Sequence, residues 1–214
     1  MIYSNLNPDK ALIFRIVHIR NVSWILAHGM HCRKSDIQAP GYFTIGNPEL
    51  IEKRTDVSIP IHPGGTLGDY VPFYFTPFSP MFYNIKTGYG GVKKIQNRDI
   101  VFFASSLSLL EETGVEYVFS DRHAYLRAAK FYSNRSALDD LPWTDWQNRD
   151  FTRDPGDPSK FERYQAEALV YKEVPLESFQ GIICYGKREL DAIKAMVKKK
   201  GLGMTVHQRE RWYF

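Results

Sequence analysis

Short apolar segments with the composition of buried β-strands recur along the whole chain, and they constrain its fold more than any other feature. Long polar stretches and a few helical segments separate them. In chain order the strand-like segments are residues 11–17, 70–75, 100–103, 115–119, 168–171 and 181–185. They do not alternate with helices in regular βαβ units. The sequence therefore predicts an α+β fold rather than a parallel α/β sheet.

The helical segments are recognised by capping residues and apolar faces. Asn21 is predicted to cap a helix that ends at Gly29. Helices are also predicted over residues 106–114, 124–132 and 190–201. The run GYGG at residues 88–91 is predicted to be a turn, and residues 31–67 show no clear periodicity. An irregular stretch of that length in a compact domain indicates a functional loop.

The composition is typical of a soluble globular protein. Hydrophobic residues make up 43% of the 214 residues and charged residues 24%, with a mean hydropathy of −0.36. No apolar run has the length that crosses a bilayer, and the first residues contain no apolar signal-peptide core. Cys32 and Cys184 are the only cysteines, so no disulfide framework is needed. We therefore expect one domain over residues 1–214 that acts in the cytoplasm.

The basic charge is concentrated near the C-terminus. The net charge of the chain is +4, and residues 187–211 contain eight basic and three acidic residues. A basic face of this kind attracts phosphate groups. A lysine-rich, solvated helix face has the same pattern, because helix C-termini commonly gather basic residues. The charge pattern alone leaves both interpretations open.

The common catalytic and phosphate-binding motifs are absent from the sequence. There is no G-x-G-x-x-G after a strand, no G-x-x-x-x-G-K-[ST] and no G-x-S-x-G. The six histidines and two cysteines show no spacing typical of metal ligands. We therefore expect a protein that works without a metal and without a Rossmann-type nucleotide site.

Three sequence segments resemble motifs of the DarT family, in the same order. They are GGTLGDYVPFYFTPFSPM at residues 64–81, VFSDRHA at 118–124 and YQAEALVY at 164–171. The strand IFRIVH at residues 13–18 and the C-terminal RWYF at 211–214 fit the same family. The resemblance thus spans nearly the whole chain, and the long motif rich in proline and aromatic residues is its most specific part.

The resemblance implies an ADP-ribosyltransferase fold related to diphtheria toxin and the poly-ADP-ribose polymerases. That fold has a central split antiparallel sheet with flanking helices. It also implies an enzyme that uses NAD to modify a base in single-stranded DNA, with thymidine favoured by the aromatic-rich motif. Such an enzyme is the toxin of a bacterial toxin–antitoxin pair, blocks replication, and is neutralised by a macrodomain antitoxin, DarG. We expect a monomer.

The resemblance to the family implies catalytic roles for two residues, Glu167 and Arg54. Glu167 lies at the start of an apolar strand, where the family places the glutamate that binds the NAD ribose and favours its positive charge in the transition state. Arg54 lies fifteen positions before Asp69, which matches the family's functional arginine. The resemblance implies that it grips NAD and helps to remove a proton from the acceptor base. A guanidinium stays protonated, so stabilising the anionic base is the simpler role. Lys53 is the alternative if the register differs by one.

The resemblance also predicts an NAD-binding loop at about residues 35–56. Backbone groups of the first strand suit the carboxamide of nicotinamide, although Arg15 stands where related transferases often have a histidine. Trp24 and Cys32 fall at family NAD contacts, but ordinary core residues would fit the same pattern. The residues expected to bind NAD are Arg15, Ile16, Val17, Trp24, Cys32 and Arg54.

Residues 120–167 correspond to the loop that selects the acceptor in such enzymes. Their arginines suit phosphate and their aromatic residues suit stacking on bases, whereas seven aspartates favour short, sequence-dependent binding over a general basic groove. The residues predicted to contact DNA are Arg122, His123, Tyr125, Trp146 and Arg153. His123 could equally contact NAD or simply hold the loop.

Other functions fit parts of the pattern. The same scaffold could modify guanosine, RNA or protein side chains. From a different class, the chain could be a catalytically inactive DNA-binding module. The presence of both Arg54 and Glu167 argues against inactivity, and an NAD-hydrolysis assay separates the two classes.

Overall fold

The computed structural model describes residues 3–214, which form a mixed α and β structure. Its strands are β1 Leu12–His18, β2 Met30–His31, β3 Tyr70–Tyr74, β4 Ile100–Ser106, β5 Tyr117–Ser120, β6 Phe131–Tyr132, β7 Glu167–Tyr171, β8 Glu173–Val174, β9 Gly181–Cys184 and β10 Thr205–Gln208. Its helices are α1 Val22–His28, α2 Pro48–Arg54, α3 Pro80–Thr87, α4 Leu107–Glu112, α5 Trp143–Asn148, α6 Lys160–Arg163 and α7 Lys187–Lys199. None of these helices is long and apolar enough to cross a membrane.

Eight strands form one sheet in the order β10-β9-β4-β1-β3-β7-β5-β6. All neighbours are antiparallel except β9 and β10. Strand β1 pairs with β4 over its whole length but meets β3 at the single pair Phe14↔Tyr74. The sheet is therefore split between β1 and β3. This confirms the α+β class and the split sheet expected from the sequence.

Aromatic side chains from the long motif form much of the core. Phe73, Phe75, Phe78 and Phe82 are fully buried. The ring of Phe75 stacks on Trp146 at a centroid distance of 5.4 Å. Burial of such large side chains is a dominant stabilising term. The motif thereby fixes β3, which forms one side of the split.

Two helix predictions can be compared with their capping contacts. Ser106 caps α4 as predicted, because its side chain accepts a hydrogen bond from the Leu109 N–H at 3.2 Å. Asn21 precedes α1 but makes no capping hydrogen bond. Its amide instead accepts from the Phe43 N–H and donates to the Phe43 carbonyl, both at 2.9 Å. Asn21 therefore ties the long loop after β2 to the start of α1.

The helix predicted over residues 124–132 is wrong. The segment forms turns and ends in β6, which pairs with β5 through Phe119↔Tyr132. The backbone N–H of Lys130 donates to the Asp121 carboxylate at 3.0 Å, and Phe119 stacks on Tyr132. Pairing with a neighbouring strand and this ring contact outweigh the local helix propensity.

Candidate active site

A cavity of about 220 Å³ opens at the split between β1 and β3. The sheet provides one side through β1 and β3, and α1, α2 and the loop between β2 and α2 provide the other. A split sheet leaves backbone groups of two strands without strand partners, and these groups face a ligand rather than another strand. The lining residues include Arg15, Ile16, Val17, Trp24, Cys32, Arg54 and His123.

Glu167 is a buried carboxylate at the start of β7, with 1% of its surface exposed. It lies opposite Tyr74 of β3 in the sheet register. Its backbone N–H donates to the Ser120 hydroxyl at 3.2 Å, and that hydroxyl donates to the Arg122 carbonyl at 2.6 Å. The strand position and these bonds fix the carboxylate beside the cavity. Burying a charge in this way is costly unless it is paired.

Arg54 is the last residue of α2, a helix with no buried residue. Asn47 caps that helix by accepting a hydrogen bond from the Leu50 N–H at 3.1 Å. The chain directly after α2 is held by the Gly68 N–H, which donates a hydrogen bond to the Thr55 carbonyl at 2.8 Å. A Cβ atom on Gly68 would lie 2.8 Å from Thr55, so only glycine permits this close approach. The motif glycine thus positions Arg54.

Arg54 and Glu167 form a buried ion pair. The Nη2 group of Arg54 donates a hydrogen bond to Oε2 of Glu167, and the Arg54 side chain is 15% exposed. Burial opposes the positive charge, but the charge of Glu167 and this hydrogen bond more than compensate and raise the pKa of Arg54. The guanidinium therefore remains charged and has further N–H donors for a ligand.

His123 lies on the other side of the same carboxylate. Its Nδ1 atom is 3.5 Å from Oε1 of Glu167, and the side chain is 13% exposed. The Tyr125 backbone N–H donates to that Nδ1 atom at 3.2 Å, so the neutral ring carries its proton on Nε2. Burial lowers the pKa of His123; Glu167 raises it and Arg54 lowers it further, and burial prevails. The ring is neutral near pH 7.

The lowered pKa of His123 gives a testable pH dependence of stability. An unfolded histidine takes up a proton near pH 6.5, whereas the folded one does so only at lower pH. Acid therefore favours the unfolded state, and stability falls as pH drops below about 6.5. We expect the free energy of unfolding of the natural protein to fall relative to that of His123→Gln between pH 7.5 and 5.5. Urea unfolding at both pH values measures this, and a constant difference would contradict a buried neutral ring.

Two buried polar atoms at the cavity have no hydrogen-bond partner within residues 3–214. They are Oε1 of Glu167 and Nε of Arg15. The Nη1 group of Arg15 donates to the Pro72 carbonyl at 3.1 Å, which holds this side chain across the split. Unsatisfied buried polar atoms are costly, and at a cavity they mark where a polar ligand binds. An acceptor on one side and a donor on the other suit a hydroxyl-rich nucleotide such as NAD.

Known proteins are similar to this chain in sequence and in fold. Residues 14–214 match the family model described as DarT, ssDNA thymidine ADP-ribosyltransferase. A DNA ADP-ribosyl transferase of Escherichia coli O127:H6 (strain E2348/69 / EPEC) is 49% identical over 211 residues, which cover 99% of this chain and 97% of the relative. The chain belongs to the DarT family.

Two solved structures of a DarT protein are also similar. Thermus sp. 2.9 DarT in complex with ADP-ribosylated ssDNA superposes with a TM-score of 0.87 at 31% identity, covering 97% of this chain and 98% of that chain. The same protein in complex with NAD+ gives a TM-score of 0.81 at 30% identity, covering 97% of this chain and 100% of that one. The DarT-family protein described here is therefore an NAD-dependent DNA ADP-ribosyltransferase, and NAD is its substrate.

The residues predicted to bind NAD converge on the cavity of this DarT-family enzyme. Trp24 of α1 stacks on His28 and is half-buried, so its ring edge is accessible to a ligand. Cys32 is 1% exposed, and burial raises the pKa of its thiol. The Cys32 side chain therefore forms a small apolar part of the cavity wall and is not suited to act as a nucleophile. Within residues 3–214, no three His, Cys, Asp or Glu side chains are arranged to hold a metal ion.

Trp146 corrects the predicted set of DNA contacts. It is fully buried between Phe75 and Tyr164, and its ring N–H donates to the Tyr164 carbonyl at 2.9 Å. A ring with no exposed face cannot stack on a base, so the prediction that Trp146 contacts DNA is wrong. Its hydrogen bond holds the chain three residues before Glu167. Sequence composition could not distinguish a loop tryptophan from one that anchors a loop to the core.

The other predicted DNA contacts are divided between two places. His123 lies beside Glu167, and its ring is 6.4 Å from the ring of Tyr125. Arg122 is beside them but is held by Asp121 at 3.2 Å and Glu162 at 3.6 Å. Arg153 is exposed, and its guanidinium lies 4.7 Å from the Phe161 ring centroid. Of these residues, His123 is the one for which the structure shows a contact with the buried carboxylate.

Sequence reasoning missed two cavity residues. Tyr74 opposes Glu167 across the sheet, and burial followed by the Glu167 charge raises the pKa of its hydroxyl, which therefore stays protonated. His18 ends β1 and stacks on Phe43 at 3.9 Å, and burial lowers its pKa. The alternation of side chains along β3 placed Tyr74 on one face, but only the register with β7 shows that this face meets Glu167.

Proposed function

We propose that this enzyme transfers ADP-ribose from NAD to a thymidine base in single-stranded DNA, as the toxin of a toxin–antitoxin pair. The buried pair of Glu167 and Arg54 beside the cavity carries this proposal. A carboxylate that is desolvated and held by one arginine is suited to stabilise positive charge that develops in a bound sugar. The family description, which specifies thymidine, supports the choice of base.

The reaction exchanges one bond at the ribose carbon. The bond from C1′ to the nicotinamide nitrogen breaks, and nicotinamide leaves with the electron pair. The ribose then carries positive charge, as in glycoside hydrolysis. A ring nitrogen of the base donates an electron pair to C1′ and releases its proton to solvent water. Glu167 lowers the barrier by accepting a hydrogen bond from a ribose hydroxyl at Oε1, the atom without a protein partner.

Arg54 supports the same step from the loop side of the cavity. It engages Glu167 through Nη2, which leaves its other N–H groups for NAD or the acceptor. A deprotonated thymine base is an anion, and a neighbouring guanidinium stabilises it. Arg54 thereby promotes loss of the base proton without accepting that proton. The proposed NAD-binding loop at about residues 35–56 includes α2 and carries Arg54 at its end.

NAD binding is proposed to involve β1 and α1 as well. Backbone groups of Ile16 and Val17 can meet the nicotinamide carboxamide, and Nε of Arg15 supplies a donor. Trp24 offers an apolar ring at the cavity wall, with Cys32 as a small wall beside it. Within the acceptor loop of residues 120–167, His123 lies next to Glu167 and Tyr125 lies next to His123, so we assign these two residues to contact with the acceptor base.

The biological setting completes the proposal. A DNA base carrying ADP-ribose blocks replication, so the activity suits a toxin that is restrained by a DarG-type macrodomain antitoxin. The enzyme is proposed to act as a single-domain monomer in the bacterial cytoplasm. These points rest on the family resemblance.

The choice of single-stranded acceptor can be tested with one oligonucleotide in three forms. The reacting ring nitrogen of thymine lies on the pairing edge, which a base pair hides. We expect labelling from radiolabelled NAD in the single strand and in a thymidine overhang, and at least ten-fold less in the full duplex. The overhang is the matched control because it contains both strands. Equal labelling of all three forms would contradict the proposal.

A further inference from the structure

The segment that follows the catalytic motif has an unbalanced charge. Between Asp69 and Asp99 the sequence contains four basic residues and no acidic residue. The basic residues are Lys86, Lys93, Lys94 and Arg98. Within residues 3–214, none of these four cations lies within 4.0 Å of a carboxylate. We call the segment from Tyr83 of α3 to Arg98 the Tyr83–Arg98 surface.

The acceptor loop differs in this respect, although it contains more arginines. Arg122 is paired with Asp121, Lys160 with Asp150, and Arg163 with Asp157. Cations already neutralised by carboxylates attract phosphate weakly. Four of the eight basic residues at 120–167 are paired with carboxylates in this way: Arg122, Arg135, Lys160 and Arg163. The unpaired cations of the Tyr83–Arg98 surface keep their charge for a ligand.

The same surface exposes aromatic rings. Of the three large hydrophobic side chains that are exposed in residues 3–214, two lie here: Tyr89 at 71% and Tyr83 at 39%. Tyr89 stands in a turn where Gly88, Gly90 and Gly91 have positive φ, and an added Cβ at Gly90 or Gly91 would meet open space. Flat rings between unpaired lysines are typical of surfaces that bind single-stranded nucleic acid.

The surface is continuous with the active-site cavity. Met81 of α3 lines the cavity, and so does Phe43. The ammonium group of Lys93 lies 5.1 Å from the Phe43 ring centroid. Tyr83 contacts Phe151 of the acceptor loop, with ring centroids 5.9 Å apart. The surface therefore runs from the cavity mouth along the side of the acceptor loop.

We propose that the Tyr83–Arg98 surface binds the DNA strand that flanks the modified base. In this arrangement Lys93 and Lys94 contact phosphates, and the exposed ring of Tyr89 stacks on a base outside the catalytic cavity. The inference rests on the proposed acceptor, a single strand of DNA. It adds a second binding region, which holds the strand by stacking and charge rather than by base identity.

Binding of labelled oligonucleotides without NAD tests this inference independently of catalysis. Fluorescence anisotropy gives Kd for a 5-mer and a 15-mer that share one thymidine-containing centre. For the natural protein we expect tighter binding of the 15-mer. Tyr89→Ala should weaken that binding by roughly five-fold or more, because stacking contributes on that scale. Lys93→Ala/Lys94→Ala should weaken it as well, and should reduce the slope of log Kd against log salt by about 1.4.

A matched control removes the same charge from another basic face. Lys198→Ala/Lys199→Ala alters exposed lysines of α7, the helix that joins β9 to the edge strand β10. This variant should bind both oligonucleotides like the natural protein. All variants should bind the 5-mer nearly as well as the natural protein does and should keep its KM for NAD.

Three results would overturn the inference. One is unchanged 15-mer binding in both surface variants, and another is equal weakening in the α7 control. The third is a raised KM for NAD with unchanged DNA binding, which would assign the lysines to the NAD phosphates instead. Transfer assays on the same oligonucleotides with NAD report on the proposed function separately. DNA binding that depends on Tyr89, without any transfer, would refute the function and leave this inference standing.

Discussion

Glu167→Gln is expected to reduce the single-turnover rate of ADP-ribose transfer by at least 100-fold while NAD binding is retained. The amide keeps the shape of the side chain and still accepts a hydrogen bond from Arg54, so the fold is preserved. It removes the negative charge that favours the cationic ribose, and loss of one charge-stabilising group costs about 10²–10³ in rate. Rapid-quench transfer from radiolabelled NAD to a single-stranded oligonucleotide measures the rate.

The control for this substitution is Glu177→Gln, which alters an exposed glutamate in the same part of the chain. It should have the transfer rate of the natural protein. Isothermal titration with NAD separates catalysis from binding. A folded Glu167→Gln variant with near-normal transfer would remove Glu167 from the reaction and leave the buried pair as a structural feature.

Arg54→Lys is expected to fail nearly as badly as Arg54→Ala, with a loss of about 100-fold or more in single-turnover transfer. Arg54 holds Glu167 with one N–H group while its others face the cavity, and a lysine cannot reproduce this planar fork. Arg54→Ala also leaves the Glu167 carboxylate buried without a partner. Breaking a buried pair in this way costs about 3–5 kcal/mol of stability.

The response to pH and NAD distinguishes the roles of Arg54. Recovery of Arg54→Lys at high pH, where the base loses its proton unaided, would assign Arg54 to the acceptor. A defect that disappears at saturating NAD would confine it to cofactor binding and contradict its catalytic role. Lys53→Ala is the matched control, because Lys53 is exposed and pairs with Glu49. Full activity of that variant would also confirm the register in which Arg54 is the functional residue.

Much of the fold could be predicted from the sequence, because the sequence patterns that specify these strands and helices involve only neighbouring residues. The apolar strand segments and the glycine that ends α1 depend on a few neighbouring residues, and both appear in the structure. The segment at 124–132 failed because its structure depends on a distant partner, β5. Pairing between strands is set by tertiary contacts, which propensity does not contain.

In the candidate site, too, residues with a local sequence signal were predicted, whereas features that depend on tertiary contacts were not. Glu167, Arg54 and His123 were all identified from the sequence. In the structure, Arg54 and His123 both contact the Glu167 carboxylate, although Arg54 lies 113 positions before Glu167 in the chain. Trp146 was misassigned because an aromatic residue in a polar stretch suits both a stacking surface and a loop anchor. Its burial against Phe75 depends on the three-dimensional path of the loop. Tyr74 was missed because its neighbour Glu167 lies across the sheet.

We propose that this chain moves ADP-ribose from NAD to thymidine in single-stranded DNA. The most direct measurement is mass spectrometry of a short oligonucleotide with one thymidine, after incubation with the protein and NAD. We expect one added ADP-ribose on that thymidine, an equal amount of released nicotinamide, and at least 100-fold less of both products with Glu167→Gln after the same short incubation. Release of nicotinamide with an unmodified thymidine, or ADP-ribose on another base or on protein, would contradict it.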